Sequence, residues 1–381
     1  MRLPNVSLMS QHKTHMNLRI LLAGAFLALG ITAPLQLVAA ERYAVTPLPF
    51  LPFSGTGGEA LSNTGVVAGG IVNSDGSVSL AEWSQGVLTN LGAPPGVPSR
   101  DFNKPRVFGI NNSGAIVGTV HTAAGDLPSR SFIYERGRFT VLPLVDPTDL
   151  GGAAIGINDS GAVVGYDRTS EHTVKGWLWS HGAYSSLPVS GTNTAALGIN
   201  SSGTVIGNRS LSLIRRLLAG QLCCAGEHGY VLGHGTTQYL TGFVYAINDP
   251  GEAAGGSASG SDARASVFDN GIATVIVSLP SVAVGINSSA QVIGSYQPAG
   301  YNRRHVFIWS RKSGALDVTP DGYVTAEAAA INDRGDVLGF GETISGVSRY
   351  FLLTPDANGI LTPKQLITSP PAGVPGSGRV K

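Results

Sequence analysis

Four acidic residues are the side chains of this chain best suited to catalysis. Asp126, Asp167, Glu171 and Asp262 could supply the two carboxylates of a glycosidase, which lie about 5 Å apart in retaining enzymes and about 6.5–9.5 Å apart in inverting ones. No spacing rule links carboxylates that lie this far apart in a sequence. The chain also has no nucleophile-elbow, zinc-helix, phosphate-loop or dinucleotide motif. A glycan hydrolase or lyase is therefore the alternative to a protein without catalytic residues.

The only two cysteines are adjacent, Cys223 and Cys224, and His228 and His234 follow them. A zinc site needs three or four converging ligands, and adjacent cysteines rarely point the same way. We therefore predict no metal and no cofactor, and we expect a strained vicinal disulfide or two free thiols. A secreted protein held by disulfides would need more cysteines, so this fold must be stabilised in another way.

Charged and aromatic side chains concentrate in segments that differ along the chain. In YQPAGYNRRH (296–305), Tyr296 and Tyr301 could stack on a sugar or peptide, while Arg303 and Arg304 could pair with carboxylates. The other predicted ligand-binding residues are Arg106, Asp167, Arg168 and His172. Further charged residues in these segments are Arg100, Lys104, His121, Asp126, Arg130, Glu171, Asp262, Arg264 and His305. Exposed loops also collect charge without binding anything, so both explanations stay open.

A repeated ten-residue phrase alternates with these segments along the sequence, and GINNSGAIVG (109–118) is one copy of it. Copies begin at Ala60, Gly109, Gly156, Gly198, Ala246, Gly285 and Ala330. Their spacing averages about 45 residues, a period typical of propeller blades with four strands. Each repeat contains a short apolar strand, an Asn-containing turn, a second strand, an aromatic third strand and a fourth strand. No helical periodicity interrupts this order, which argues against α-solenoids. We predict an all-β, seven-bladed β-propeller over residues 41–367.

The phrase itself predicts the innermost hairpin of each blade. Small residues before the asparagine suit a strand crowded against the axis. Asparagine opens the turn by bonding its own backbone, and the glycine three residues later adopts positive φ. The predicted turn residues are Asn111, Gly114, Asn158, Gly161, Asn200, Gly203, Asn332 and Gly335. Ala290 replaces this glycine in one copy, so we expect a strained or different turn there.

Seven phased copies of GIN-x-x-G-x-V-x-G, each followed by an aromatic strand such as FIYERGRF or WLWSHGAY, resemble the HAF-repeat family of bacterial extracellular proteins. The resemblance covers roughly residues 41–367. It implies an extracellular repeat protein, and it brings no catalytic residues with it.

The first forty residues are predicted to be a secretory signal. Arg2, Lys13 and Arg19 precede the apolar stretch ILLAGAFLALGI, and small residues before Glu41 suit cleavage after Ala40. The apolar run is too short, and too soon broken by Pro34, for a membrane anchor. Without the leader the chain has 22 Lys and Arg against 24 Asp and Glu, a balance that favours neither nucleic acid nor an anionic membrane. Residues 368–381 are predicted to be a disordered tail.

Propeller topology indicates where a ligand would bind. The turns after first and third strands share one face, and their sequences repeat. The other face carries loops that differ in every blade, and variable loops on a rigid scaffold are where binding usually occurs. We predict a secreted, monomeric, non-enzymatic protein that binds an extracellular glycan, peptide or surface partner on this variable face. A purely structural envelope module is a further possibility. Two terminal segments, 41–49 and ILTPKQLI, compete to close the ring.

Overall fold

A computed structural model describes residues 42–49, 58–95, 105–121, 129–191, 193–209, 228–259 and 262–368. The chain divides into two units, Met1–Ala40 and Glu41–Lys381, and every described residue lies in the second. The predicted leader, the Cys223–Cys224 pair, most of the predicted tail, Arg100, Lys104 and Asp126 fall outside the described residues. The described residues form strands and turns, and none of their segments is a helix long and apolar enough to cross a membrane.

Within the described ranges, twenty-nine strands build seven antiparallel sheets, which are the seven blades of the predicted β-propeller. Blade 1 contains β2 (Glu59–Leu61), β3 (Val67–Val72), β4 (Val78–Ser84) and β5 (Val87–Gly92). Blade 2 contains β6 (Arg106–Ile110), β7 (Ile116–His121), β8 (Ser129–Glu135) and β9 (Arg138–Val141). Blade 3 contains β10 (Gly151–Ile157), β11 (Val163–Arg168), β12 (Val174–Ser180) and β13 (Ala183–Ser186). Blade 4 contains β14 (Ala195–Ile199), β15 (Val205–Asn208), β16 (Gly229–Gly233) and β17 (Thr236–Tyr239).

The remaining three blades follow the same plan with additions from the termini. Blade 5 contains β18 (Phe243–Ile247), β19 (Ala253–Ser259), β20 (Asp262–Asp269) and β21 (Ile272–Val275). Blade 6 contains β22 (Ser281–Ile286), β23 (Val292–Tyr296), β24 (His305–Ser310) and β25 (Gly314–Asp317), with β29 (Lys364–Gln365) as a fifth strand. Blade 7 contains β26 (Tyr323–Ile331), β27 (Val337–Thr343) and β28 (Ser348–Pro355), with β1 (Tyr43–Pro47) as its outer strand.

The amino-terminal strand closes the ring. β1 pairs with β28 along its whole length, from Tyr43 opposite Pro355 to Pro47 opposite Phe351. The carboxy-terminal segment has a different position, because β29 adds to the outer edge of blade 6. Leu361 exchanges two backbone hydrogen bonds with Tyr43, so this segment also covers the closing strand. Both competing segments are therefore used, one to close the ring and one to cover the closure.

The core lies between blades, where small residues of one blade face larger residues of the next. One buried cluster joins Val164 of blade 3 to Ala196, Val205 and Tyr230 of blade 4. The tenth-position glycine of the repeat faces an aromatic residue on the third strand in five blades, for example Gly165 opposite Trp177. A Cβ on Gly165 would lie 2.1 Å from the Ala153 carbonyl oxygen and 2.7 Å from the Trp177 ring. The glycine and the aromatic residue therefore recur together because one makes room for the other.

Candidate functional site

The Asn-containing turn has the same geometry in blade after blade. In blade 3, Asn158 Oδ1 accepts hydrogen bonds from the Ala162 amide at 3.0 Å and the Ser160 hydroxyl at 2.7 Å. The Gly161 amide donates to the Asn158 carbonyl at 3.0 Å, and φ of Gly161 is +80°. Gly114, Gly203 and Gly335 have φ of +81°, +82° and +82°. Ala290 keeps this turn, with φ of +59° and a 2.9 Å bond from its amide to the Asn287 carbonyl.

The same asparagines also join the blades to one another. Each buried side-chain amide donates from Nδ2 to the backbone carbonyl of the equivalent residue in the next blade, at 3.0–3.1 Å. The bonds run in chain order through Asn111, Asn158, Asn200, Asn248, Asn287 and Asn332 to Ser62. We call these six asparagines the asparagine ring. Because its donors and acceptors are paired in a buried position, the asparagine ring stabilises both the individual turns and the contacts that close the propeller.

The residue after each ring asparagine, together with Asn63 after Ser62 in blade 1, forms a mostly exposed rim around the axis. The rim residues are Asn63, Asn112, Asp159, Ser201, Asp249, Ser288 and Asp333. Backbone amides donate to side chains of the following blade, as from Asn112 to Asp159 Oδ1 at 2.9 Å and from Ser201 to Asp249 Oδ1 at 2.9 Å. The rim therefore combines hydroxyl, amide and carboxylate groups, and among the described residues its three carboxylates form no ion pair.

A cavity of about 170 Å³ opens on the axis inside this rim. The residue before each asparagine forms its wall: Leu61, Ile110, Ile157, Ile199, Ile247, Ile286 and Ile331. We call the side of the propeller that carries these turns the repeat face and the opposite side the variable face. The repeated phrase, which the sequence assigned to architecture, therefore also lines this cavity.

Half-buried charged residues lie on or beside the first strands of blades 2 and 7. Arg304 donates from its guanidinium to Glu327 Oε1 of β26 at 2.8 Å, with about a quarter of each side chain exposed. Burial raises the pKa of Glu327, and the positive charge of Arg304 opposes that shift. Arg106 of β6 lies with its guanidinium 5.8 Å from the centre of the Phe108 ring. Two of the predicted ligand-binding residues, Arg106 and Arg304, are therefore half-buried.

Glu59 is a buried carboxyl where the other blades place a small apolar residue. It pairs with Gly69 as Val107 pairs with Gly118 and Ala154 pairs with Gly165. Only 7% of Glu59 is exposed, and burial raises its pKa to about 8, although a Tyr350 hydrogen bond and the Arg106 charge act in the opposite direction. The sequence signal for this residue was a charge at a position that is otherwise Val or Ala, and our sequence analysis did not single it out.

The structure corrects the prediction for Tyr296 and Asp167, because both are buried. The Tyr296 hydroxyl donates to Asp317 Oδ2 at 2.6 Å, and its ring is in the core of blade 6. Asp317 also bonds His305 Nδ1 at 2.7 Å. Asp167 accepts from the Trp177 indole at 2.9 Å and from the Val145 amide at 2.7 Å. A predicted tyrosine and a predicted carboxylate thus stabilise their own blades and do not face a ligand.

The other predicted residues lie on the variable face. Tyr301 and Arg303 are exposed, and Arg168 lies 3.4 Å from His172 Nδ1. His172 is itself exposed and has φ of +61°. Arg130 and Arg264 are half-buried at the starts of their third strands.

The candidate catalytic carboxylates that the structure describes have different surroundings. Asp167 is engaged by Trp177 and Val145, whereas Glu171 is exposed in blade 3 and Asp262 is exposed in blade 5. No group of three or more His, Cys, Asp or Glu in the described part of the chain could hold a metal ion.

Comparison with known proteins supports the fold. No protein-family model matches the sequence, and no curated protein sequence matches it. Among solved structures, the chain is similar to the β-propeller domain of the Trilobed protease from Pyrococcus furiosus, with 8% identity and a TM-score of 0.52 over 85% of this chain and 100% of that one. It is also similar to a puromycin-hydrolyzing peptidase of Mycobacterium tuberculosis, with 10% identity and a TM-score of 0.53.

The peptidase similarity covers 88% of this chain but 54% of the peptidase, so this chain spans about half of that protein. The lectin of Aleuria aurantia matches at 11% identity with a TM-score of 0.38 over 86% of this chain and 100% of the lectin. At such identities these likenesses show the propeller fold alone. The propeller of the Pyrococcus protease is described as having an open velcro topology, whereas strand β1 closes the ring of this protein.

Proposed function

We propose that this protein is an exported, monomeric, non-enzymatic binding protein of the HAF-repeat type. Its ligand, an extracellular glycan or peptide, would bind at the centre of the variable face. The half-buried ion pair between Arg304, which directly precedes β24 of blade 6, and Glu327 of β26 in blade 7 is the observation that carries this proposal. Residues 1–40 would direct export and would be removed.

Physical reasons support this location. A charged pair that is only about a quarter exposed is partly desolvated, and its orientation is set by strands of blades 6 and 7. Hydrogen bonds to such preoriented charges are stronger than those to mobile surface groups. Arg106 contributes a second guanidinium from blade 2, and Tyr301 and Arg303 lie exposed in the loop next to Arg304. Such an arrangement suits a ligand with both hydroxyl or amide groups and a planar or apolar face.

Binding of the full exported protein to a panel of glycans and extracellular peptides tests the proposal. We expect the Tyr301→Ala and Arg304→Ala double variant to weaken binding at least tenfold. Lys312→Ala is the matched control, because Lys312 is exposed in the same blade but lies on the repeat face. Unchanged binding by the double variant would place the site elsewhere.

The same panel tests the enzyme alternative. Incubation with each glycan, followed by chromatography of the products, should give intact ligand. Cleavage that is lost in Glu171→Gln or Asp262→Asn would contradict a non-enzymatic function and establish the hydrolase. Export is tested separately by the mass of the mature amino terminus, which we expect to begin at Glu41.

A further inference from the structure

The chain that follows β28 returns across the strand that closes the ring. Asp356 begins a turn, and the Gly359 amide donates to the Asp356 carbonyl at 2.9 Å. Leu361 then exchanges two backbone hydrogen bonds with Tyr43, at 2.9 and 3.1 Å, on the edge of β1 opposite to β28. The start of β1 therefore lies between two segments of the chain. We call the second of these segments, residues 356–368, the carboxy-terminal strap.

The carboxy-terminal strap packs closely on β1. Only 1% of Leu361 is exposed, and this residue belongs to the same buried cluster as Tyr43. Arg42 Nε donates to the Thr362 hydroxyl at 3.2 Å. A Cβ on Gly359 would lie 2.3 Å from the Tyr43 carbonyl carbon, a distance at which one of the two segments would have to move. The backbone of the strap is therefore in direct contact with the backbone of β1.

The far end of the strap lies on blade 6. β29 adds two residue pairs to the edge of β25, and both of its residues are exposed. The Ala299 amide donates to the Ile367 carbonyl at 3.0 Å, and the Ile367 amide donates to the Tyr296 hydroxyl at 3.3 Å. Segments held by a few peripheral bonds open at lower free energy than the core of a domain. The strap should therefore detach while the blades stay folded.

β1 is tied to its blade less firmly than the other outer strands. In blades 1 to 5 the outer strand follows its partner after a two-residue turn, such as His181 and Gly182 between β12 and β13. β1 has no such turn, because its partner β28 stands near the other end of the chain. A terminal strand without a hairpin connection frays before strands that are tied on both sides. The contacts of the strap compensate for the missing turn.

From these contacts we propose that the carboxy-terminal strap holds β1 in blade 7, and that the propeller opens at this place when the strap is released. Departure of β1 leaves the outer edge of β28 unpaired along Phe351, Leu352 and Leu353, which pair with β1 in the closed ring. Unpaired edges of this kind associate with strands of other molecules. The strap therefore keeps the ring closed and the edge of β28 covered.

Hydrogen–deuterium exchange of the full protein, followed by mass spectrometry of its peptides, tests the proposal. In the unaltered protein we expect the amides of β1 to exchange faster than those of β11, a middle strand of blade 3. Gly359→Ala places a methyl group against the Tyr43 backbone, so it should speed exchange in β1 at least tenfold and leave β11 unchanged. Gly346→Ala is the matched control in the same blade, because its Cβ meets no atom within 4 Å, and it should leave β1 unchanged.

Two leucine variants provide a second test that does not depend on the folding of Gly359→Ala. Leu361 and Leu142 are both 1% exposed, and Leu142 packs against residues of blades 2 and 3. Leu361→Ala should speed exchange in β1 at least tenfold more than in β11. Leu142→Ala removes the same atoms from an equally buried position and should show no such preference for β1.

Three results would overturn the proposal: equal exchange of β1 and β11 in the unaltered protein, unchanged exchange of β1 in folded Gly359→Ala, or an equal increase in all blades of Leu361→Ala. If a variant does not fold, the comparison of β1 with β11 in the unaltered protein decides. The experiment uses no ligand, so its outcome is independent of the proposed binding function.

Discussion

The two faces of this propeller use polar residues in different ways. On the repeat face, asparagines from six blades bond to the next blade around the axis, and each also closes its own turn. On the variable face, the polar contacts do not recur from blade to blade: Asp167 bonds Trp177 within blade 3, and Arg304 bonds Glu327 between blades 6 and 7. Repeated polar residues thus connect the blades around the whole ring, while unrepeated ones act within one blade or between two.

The largest expected effect concerns Glu59, a buried polar residue that the other blades do not repeat. The ionisation of its carboxyl group should change the stability of the protein. Its pKa is raised from 4.5 to about 8, so the folded protein holds this proton more tightly than the unfolded chain. Stability should be fully present below pH 4.5, fall as the pH rises towards 8 and then level off. The total loss should be roughly 3–5 kcal/mol.

Urea unfolding between pH 4 and pH 9 measures this dependence. Glu59→Gln should remove it and should be more stable than the unaltered protein at pH 9. Glu342→Gln, an exposed carboxyl, is the control and should follow the unaltered protein. A Glu59→Gln profile identical to that of the unaltered protein would show that the carboxyl is not responsible.

The second test breaks the asparagine ring. Asn158→Ala removes the bond to the Asn200 carbonyl and leaves the Ala162 amide without its side-chain acceptor. Because buried unpaired groups cost about 1–3 kcal/mol each, we expect a loss of about 3 kcal/mol in the free energy of unfolding. Ser160→Ala, which removes one partly exposed hydroxyl of the same turn, should cost less than about 1 kcal/mol. Equal costs for both variants would contradict a structural role for the ring.

The third test compares two glycines of one repeat. Gly165→Ala places a Cβ against the Ala153 carbonyl and the Trp177 ring, so we expect about 2 kcal/mol of destabilisation from overpacking. Gly161→Ala meets no atom within 4 Å but keeps φ at +80°, which should cost about 1 kcal/mol. Thermal unfolding measures both. A larger effect for Gly161 would mean that turn conformation outweighs the contact between strands.

The smallest expected effect is the difference in stability between two tyrosine variants of the segment 296–305. Tyr296→Phe removes the buried bond to Asp317 and should cost about 1.5 kcal/mol, because the acceptor is charged. Tyr301→Phe alters an exposed side chain and should change stability by less than about 0.5 kcal/mol. Denaturant unfolding of the two variants side by side measures the difference, and similar losses would contradict the burial assigned to Tyr296.

Much of the fold could be predicted from the sequence, because the residues that form the strands and turns of a blade recur in every repeat. Seven copies of an Asn-containing turn between short apolar strands predicted seven four-stranded blades, and the structure confirms them. The burial of Tyr296 and Asp167 could not be predicted in this way. Both residues lie next to loops in the sequence, and only the packing of Trp177 and Asp317 against them determines that they face inward.

The sequence by itself determined the blade, because alternating apolar residues, turn glycines and aromatic partners are local features that act within about 45 residues. The tertiary structure decided what the blades create together. Asparagine donors reach the next turn, six isoleucines and Leu61 from the seven repeats line one cavity, and β1 rather than the carboxy-terminal segment completes blade 7. These relations depend on ring closure, which brings residues 270 positions apart into contact in the bond from Asn332 to Ser62.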